Sequence, residues 1–215
     1  MRHYRHIIFD WDGTLAKSID HIVVALQMAG QSIGRIIPED KARYIIGLGI
    51  EDARRYLLGD IQDIEVAQKF HRVYRQNYLA REKDIPLYPC ARELVQKLYE
   101  SGHKLTIATG KSREGILRAL EHKKLQHYFQ AIRTSDMTKP KPNPNMVWEL
   151  CEEVGLPPSQ TLLVGDTIHD LEMANRAGID AVGVTYGAHK QEELAKYPHL
   201  VLVDSLSAFY EWYFS

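Results

Sequence analysis

The sequence predicts an α/β fold, in which a Rossmann-like parallel sheet is flanked by helices and carries an inserted all-helical subdomain. Two observations support this prediction. Short apolar segments that end in glycine or acidic residues recur along the chain and alternate with helical patterns, which is typical of a parallel sheet covered on both faces. A long stretch after the first of these segments has helical periodicity without a convincing strand.

Five short apolar segments predict buried strands. They are RHIIFD, HKLTIATG, QTLLVGD, AVGVTYG and LVLVD. Each is too short for a helix and is bounded by turn residues. QAIRTSD, which lies between two predicted helices, is a further candidate strand. Because ligands bind outside the carboxyl ends of parallel strands, the residues that follow these segments are candidates for function.

The helices of the predicted core have recognisable ends. Pro89 is expected at the first position of one helix, and Asn143 and Pro144 are expected to begin another. Gly102, Gly155 and Gly178 are placed where helices stop. Residues 1–15 and 87–215 are therefore assigned to the core, and residues 16–86 to the inserted subdomain.

Composition excludes several functional classes. The 215 residues are enough for one large domain with an insertion. The 27 Lys and Arg residues nearly balance the 28 Asp and Glu residues, so no overall field favours nucleic acid or an anionic membrane. No apolar run approaches the roughly 20 residues of a membrane span. Cys90 and Cys151 form no CxxC pair, which predicts buried or half-buried thiols and a reducing cytoplasm.

The ends of the first two predicted strands carry groups suited to phosphate chemistry. Asp10 and Asp12 follow the first strand, and Gly13 allows a sharp turn there. One carboxylate could act as a nucleophile while the other transfers protons. A simple acidic turn would have the same sequence pattern. The second strand ends in Thr109 and Gly110, which precede a helix and could cradle an anion. Simple helix capping by the serine that follows is the alternative.

Two further segments add a cation and more carboxylates. Lys139 and Lys141 lie in the proline-stiffened segment TKPKPNPNM, which could fix an ammonium group or form an exposed basic loop. Asp166 ends the strand in VGDTIHD, and Asp170 lies one helical turn later. If these carboxylates converge with the first strand's, their repulsion requires a divalent cation, and oxygen ligands fit magnesium. His169 is expected to face solvent rather than bind metal.

The order of these motifs resembles the haloacid dehalogenase superfamily. The matching segments are DWDGT, ATG, KPNP and GDTIHD, and they span almost the whole chain. The resemblance is to the subfamily with a helical cap that includes phosphoglycolate phosphatases and β-phosphoglucomutases. It implies a phosphatase that hydrolyses a small phosphorylated metabolite with Mg²⁺ as cofactor.

The resemblance also implies a role for each site residue. Asp10 would be the nucleophile that forms an aspartyl phosphate, and Asp12 the general acid and then base. Thr109 and Gly110 would bind the transferring phosphate, with Lys141, rather than Lys139, as the site lysine. The metal ligands would be Asp10, the Asp12 backbone carbonyl and Asp166, with Asp170 at or just outside the coordination shell.

The inserted helices match the position of the family's cap, which closes over substrate. Gly47 and Gly49 resemble the cap loop that reads substrate, and an ordinary interhelical turn is the alternative. Lys17 departs from the family pattern, because many relatives have an acidic residue before the serine that matches Ser18. The position is near the hinge and carries no catalytic role.

Other functions within and outside the superfamily have to be weighed. Asp12 argues against dehalogenases, which generally lack the second aspartate, and against phosphonatases, which replace it with a small residue. A phosphosugar mutase keeps both aspartates and stays an alternative, as does a non-catalytic protein that binds a phosphorylated ligand. The expected assembly is a monomer or a weak homodimer.

Overall fold

A computed structural model describes residues 4–59 and 63–215, which form six strands and ten α-helices. Residues 1–3 of the predicted core and residues 60–62 of the predicted insertion lie outside the described residues. Within the described ranges, no helix has both the length and the apolar character needed to cross a membrane.

The strands form one parallel sheet, which confirms the predicted fold class. They are β1 (His6–Phe9), β2 (Lys104–Thr109), β3 (Phe129–Thr134), β4 (Thr161–Gly165), β5 (Asp180–Val184) and β6 (Val201–Val203). Their order across the sheet is β3-β2-β1-β4-β5-β6, and the candidate segment QAIRTSD forms β3. Phe9 is in register with Ile107 and Val164. The carboxyl ends of β1, β2 and β4 therefore meet at one edge of the sheet.

Four helices follow β1 and pack against one another. They are α1 (Ile19–Ser32), α2 (Glu39–Tyr44), α3 (Ile50–Leu58) and α4 (Ile64–Leu79), and we call residues 19–79 the helical insertion. The chain leaves and re-enters the sheet region side by side, because Ala16 pairs with Leu87 in an antiparallel bridge. Lys17 N also donates to Pro86 O at 2.9 Å. These contacts lie at the boundaries predicted for the inserted subdomain.

The remaining helices cover the sheet. They are α5 (Ala91–Glu100), α6 (Arg113–Lys123), α7 (Asn145–Val154), α8 (Ile168–Ala177), α9 (Gln191–Leu194) and α10 (Leu206–Phe214). The prediction of Pro89 as a first helical residue is wrong, because Cys90 adopts a left-handed conformation between Pro89 and α5. Helix α7 begins at Asn145, one residue later than predicted. The three predicted stop glycines have positive φ at helix ends.

Successive side chains of β1 point to opposite faces of the sheet and contribute to a core on each face. Ile7 and Phe9 pack into one cluster with Phe209, whereas Ile8 belongs to the other, with Leu171. Each of these side chains is buried, so both faces are covered, as a parallel sheet requires. Cys151 is buried, as expected. Cys90 is exposed, contrary to prediction, because it lies in the turn that precedes α5.

Candidate active site

The residues predicted from the strand ends lie together at one edge of the sheet. Asp10 follows β1, Thr109 ends β2, and Asp166 follows β4. Lys141 reaches the same point from the loop between β3 and α7, and Asp170 from the first turn of α8. All five residues are almost completely buried. Burying so many ionisable groups is unfavourable unless they compensate one another or bind a ligand.

Three carboxylates share one ammonium group at this edge. Ligand oxygens of Asp10, Asp166 and Asp170 lie within 4.8 Å of one another. Lys141 Nζ is 2.9 Å from Asp10 Oδ1 and 2.6 Å from Asp170 Oδ1. When all of these groups are ionised, negative charge exceeds positive charge inside a buried site. A further cation would therefore stabilise the ionised cluster.

The protonation equilibria show the same imbalance. Burial raises the pKa of Asp10 to about 7; Lys141 opposes this shift, and the Asp170 charge adds to it. Burial also raises the pKa of Asp166, as do the charges of Asp10 and Asp170. Burial alone would lower the pKa of Lys141, but the two carboxylates that it contacts raise it above its usual value. Lys141 is therefore a fixed positive charge.

The donor set fits a magnesium ion. Both carboxylate oxygens of Asp10 are buried; within the described ranges Oδ1 has the ion pair with Lys141 as its one partner, and Oδ2 has none. Asp166 is held in place, because Thr14 Oγ1 donates to Oδ1 at 2.9 Å and Ala188 N donates to Oδ2 at 2.7 Å. A Cβ at Gly13, where φ is +83°, would lie 2.1 Å from Asp166 Oδ2. Oxygen donors in a closely confined space are suited to magnesium.

Asp170 has a different environment from the other two carboxylates. Its Oδ1 accepts from Lys141 Nζ, and its Oδ2 accepts from the backbone N–H and the hydroxyl of Thr167, at 3.1 and 2.6 Å. The bond from Thr167 N–H, together with a reciprocal bond from Asp170 N–H to Thr167 Oγ1 at 3.3 Å, forms a capping box at the start of α8. With both oxygens engaged, Asp170 is placed to orient Lys141 at the margin of the cluster.

The Asp12 side chain lies outside the carboxylate cluster and is held by other groups. Ser18 Oγ donates to Asp12 Oδ1 at 2.7 Å, and Lys111 Nζ lies 3.3 Å from Asp12 Oδ2. Lys111 Nζ also donates to the hydroxyl of Tyr78 at 2.6 Å. The contact of Lys111 with Asp12 was not among the predictions from the sequence. The position of this lysine two residues after Thr109, at the same strand end, was the available signal.

The structure distinguishes the two candidate lysines. Lys139 is exposed, whereas Lys141 is buried against Asp10. The expectation that His169 faces solvent is wrong: its side chain is buried, and its Nε2 lies 2.8 Å from the backbone carbonyl of Tyr44. That carbonyl belongs to the helical insertion, which covers this part of the sheet edge.

Comparison with known proteins assigns the family. Residues 7–184 match the family described as haloacid dehalogenase-like hydrolase. The chain belongs to this family. It is 33% identical over 207 residues to the probable phosphatase IndB of Dickeya dadantii, covering 94% of this chain and 90% of that protein. It is 28% identical to a phosphoglycolate phosphatase of Pseudomonas savastanoi, covering 93% of this chain and 76% of the relative.

A solved structure has the same fold. A hydrolase from Pseudomonas syringae superposes with a TM-score of 0.86 and is 26% identical; the match covers 96% of this chain and 98% of the other. The similarity therefore includes both the sheet and the helical insertion.

In this haloacid dehalogenase-like protein, one loop of the insertion lies directly on the sheet edge. A Cβ at Gly110 would come within 2.7 Å of Leu48 O, and a Cβ at Gly49 within 2.7 Å of the Pro140 ring. Gly47 has φ +92° and faces Thr167. The close contact of the two backbones requires glycine on both sides. The loop is thus a contact between the insertion and the sheet edge, and more than an interhelical turn.

A cavity of about 470 Å³ separates the rest of the insertion from the sheet edge. Its floor carries Asp10, Asp12, Thr109 and Lys111. Its roof and walls come mainly from α1, α3 and α4, with a contribution from α6. A substrate whose reacting group touches Asp10 would therefore extend its remaining atoms toward the insertion.

Proposed function

We propose that the protein is a magnesium-dependent phosphatase that hydrolyses a small phosphate monoester through an aspartyl phosphate on Asp10. The observation that carries this proposal is the Asp10 carboxylate itself. It is buried and lies at the floor of the cavity; its Oδ1 pairs with Lys141 Nζ at 2.9 Å, and its Oδ2 has no partner among the described residues. A carboxylate with one free oxygen beside a fixed cation is suited to attack a phosphoryl group. The phosphatase names of the relatives support the same activity.

The first half of the reaction transfers the phosphoryl group to the protein. An oxygen of Asp10 forms a bond to phosphorus, and the bond from phosphorus to the leaving oxygen breaks. Asp12 donates a proton to that leaving oxygen. Thr109 donates a hydrogen bond to the phosphoryl group, and Lys141 offsets its charge; such positioning and charge stabilisation dominate phosphoryl transfer.

The second half returns the protein to its starting state. Asp12, now a carboxylate, takes a proton from a water molecule, and the water oxygen bonds to phosphorus as the bond to Asp10 breaks. Inorganic phosphate is the product. The contacts of Asp12 with Ser18 and Lys111 support this role, because they hold its carboxyl group at the cavity floor but outside the carboxylate cluster.

The residues that would hold magnesium are Asp10, Asp166 and the backbone carbonyl of Asp12. The bound ion would supply charge neutralisation between the phosphoryl group and the carboxylates. Asp170 would stand at the margin of this set, where it orients Lys141. Thr14 and the backbone N–H of Ala188 fix Asp166 in the orientation that the set requires.

Residues 16–86, which contain the helical insertion, would act as a cap that closes on a core of residues 1–15 and 87–215. The paired chain segments at Ala16 and Leu87 are suited to a hinge, because both connections cross at one place. Closure would exclude bulk water from the aspartyl phosphate until Asp12 activates one molecule.

Phosphate release from para-nitrophenyl phosphate, measured with magnesium and again with a chelator, tests this proposal. We expect release only with magnesium, and none from Asp10→Asn. Asp204→Asn, which makes the same change at an exposed position after β6, is expected to match the wild type. Equal activity in Asp10→Asn would refute the nucleophile assignment. Transfer of phosphate to a second hydroxyl group, in place of its release, would indicate a mutase.

A further inference from the structure

The cavity is larger and less polar than a two-carbon leaving group needs. Its volume of about 470 Å³ falls within the roughly 300–1,000 Å³ of pockets that enclose whole drug-sized ligands. Away from the sheet edge the wall is mainly apolar, and the contributing residues include Ile22, Leu26, Ile46, Leu57, Phe70 and Tyr74. Such a wall gains free energy by excluding water from an apolar ligand.

Three of the four arginines at the cavity wall are paired with carboxylates. The fourth, Arg72, is exposed. Arg54 pairs with Glu51 at 2.7 Å, and Arg75 pairs with Glu114 at 3.2 Å. A small acid that entered the cavity would have to compete with these partners. These paired arginines are therefore poorly suited to recognise a leaving group through a carboxylate.

Glu82 is a carboxylate on the cavity wall that has one oxygen without a hydrogen-bond donor among the described residues. The residue is 6% exposed and lies on the cavity wall. Its Oε2 accepts from Arg118 Nε at 3.0 Å. Its Oε1 is buried and accepts no hydrogen bond from the described parts of the chain. A buried charged acceptor without a donor is unfavourable and uncommon in native proteins, so this oxygen is a place where a ligand's N–H or O–H group would gain free energy.

We propose that the substrate's leaving group has a bulky apolar body, such as an aromatic ring, and a hydrogen-bond donor that binds Glu82 Oε1. The donor is an amino or a hydroxyl group, and Glu82 is the residue that selects for it. The inference rests on the proposed phosphatase function, because the phosphate must occupy the floor beside Asp10. It identifies a substrate class distinct from a short phosphorylated acid.

Three phosphate esters test this proposal on the unmodified protein. Para-(2-aminoethyl)phenyl phosphate and para-ethylphenyl phosphate have the same ring and leaving oxygen, and differ in one amino group. Phosphoglycolate has neither the ring nor the donor. We expect kcat/KM for the amine to exceed that for the ethyl compound by about tenfold or more, mainly through KM, as one charged hydrogen bond allows. Both aryl esters should exceed phosphoglycolate.

A matched pair of variants tests the role of Glu82. Glu82→Gln keeps an oxygen for Arg118 but presents an N–H₂ group where Oε1 lies, and should abolish the preference for the amine. Glu114→Gln alters the other carboxylate that pairs with Arg118, at 2.6 Å, but at an exposed position. It should retain the preference. Thermal unfolding reports whether each variant is folded.

The outcomes separate this inference from the proposed function. Equal kcat/KM for the two aryl esters in the wild-type protein would overturn the inference, and this comparison needs no variant. A higher kcat/KM for phosphoglycolate, or an undiminished preference in folded Glu82→Gln, would also overturn it. By contrast, absence of magnesium-dependent phosphate release from every ester would contradict the phosphatase function itself.

Discussion

Lys111 Nζ donates a hydrogen bond to the hydroxyl of Tyr78 across 2.6 Å, and this contact joins the sheet edge to helix α4 of the insertion. The same ammonium lies 4.3 Å from the centre of the Tyr78 ring and 3.3 Å from Asp12 Oδ2. One cation therefore contacts both the insertion and the proposed general acid. Docking of the insertion and placement of Asp12 are coupled through it.

Removing the Tyr78 hydroxyl should weaken this coupling. In Tyr78→Phe the aromatic ring keeps its contact with the ammonium, but the hydrogen bond is lost. A hydrogen bond to a charged group contributes roughly 1.5–3 kcal/mol, so we expect kcat/KM for para-nitrophenyl phosphate to fall by about tenfold. Tyr99→Phe, at an exposed position on α5, should have no effect. Unchanged kinetics in Tyr78→Phe would show that the contact does not contribute to turnover.

Replacing Lys141 should abolish activity, whereas replacing Lys139 should leave it unchanged. Lys141→Met leaves Asp10 and Asp170 buried without their cation, and removing one partner of a buried ion pair typically destabilises by about 3–5 kcal/mol. We expect loss of detectable phosphate release and a lower melting temperature. Lys139→Met changes an exposed residue and should affect neither quantity. Activity in Lys141→Met that approached the wild-type value would remove this lysine from the mechanism.

Magnesium should stabilise the folded protein through the carboxylate cluster. A ligand at 100 times its dissociation constant adds about 2.7 kcal/mol, which corresponds to a rise in melting temperature of roughly 5–10 °C for a chain of this size. Asp166→Asn should reduce the rise, because it removes one of the three clustered carboxylates. Glu192→Gln, at an exposed position, should keep it. Calorimetry with and without magnesium measures the shift, and an equal rise in Asp166→Asn would contradict the ligand assignment.

The convergence at the sheet edge could be predicted because it depends on local sequence. An apolar run that ends in a polar residue fixes both a strand and its carboxyl end, and parallel pairing then brings Asp10, Thr109 and Asp166 to one edge. Lys141 was one of two candidates, because the Lys-Pro pair occurs twice in succession in this loop. Only the path of the loop separates it from Lys139, and a sequence motif does not encode that path.

Contacts between the insertion and the sheet could not be predicted in the same way. His169 is buried because a carbonyl of Tyr44, which lies 125 positions earlier in the chain, covers it. Glu82 and Lys111 acquire their surroundings from helices that meet only after the insertion folds back. Periodicity defines each helix and its apolar face, but the docking of two such faces depends on side-chain shape over the whole interface.

The close approach of Gly110 to the insertion loop provides a test of the docked arrangement. A Cβ at this position would lie 2.7 Å from Leu48 O and 2.8 Å from Gly47 O, and both are backbone atoms. Gly110→Ala should therefore displace the loop and lower kcat/KM by about tenfold or more, since small misplacements in an active site have large effects. The control Gly115→Ala adds the same methyl group within α6, where its nearest neighbour is a serine hydroxyl at 3.2 Å. This variant should have the smaller effect on kcat/KM. Equal kinetics for both variants would contradict the docked loop.

His6 should make the folded protein less stable in mild acid. Its ring lies in β1 between the hydroxyls of Thr106 and Thr161, at 2.8 and 3.2 Å, and burial lowers its pKa to about 4. The unfolded chain, with an ordinary histidine pKa near 6.5, binds the proton first as the pH falls. The stabilisation is complete above about pH 6.5 and is lost as the pH falls toward 4.

Urea unfolding at pH 7 and pH 5 measures this contribution. Between these values His6 should lower the free energy of unfolding by about 2 kcal/mol. Other groups titrate in the same range, and burial raises the pKa of Asp10, which acts in the opposite direction. The comparison is therefore between the wild type and His6→Gln at one magnesium concentration, with the exposed His122→Gln as control. If His6→Gln kept the full wild-type difference between the two pH values, the buried ring would not be the group responsible.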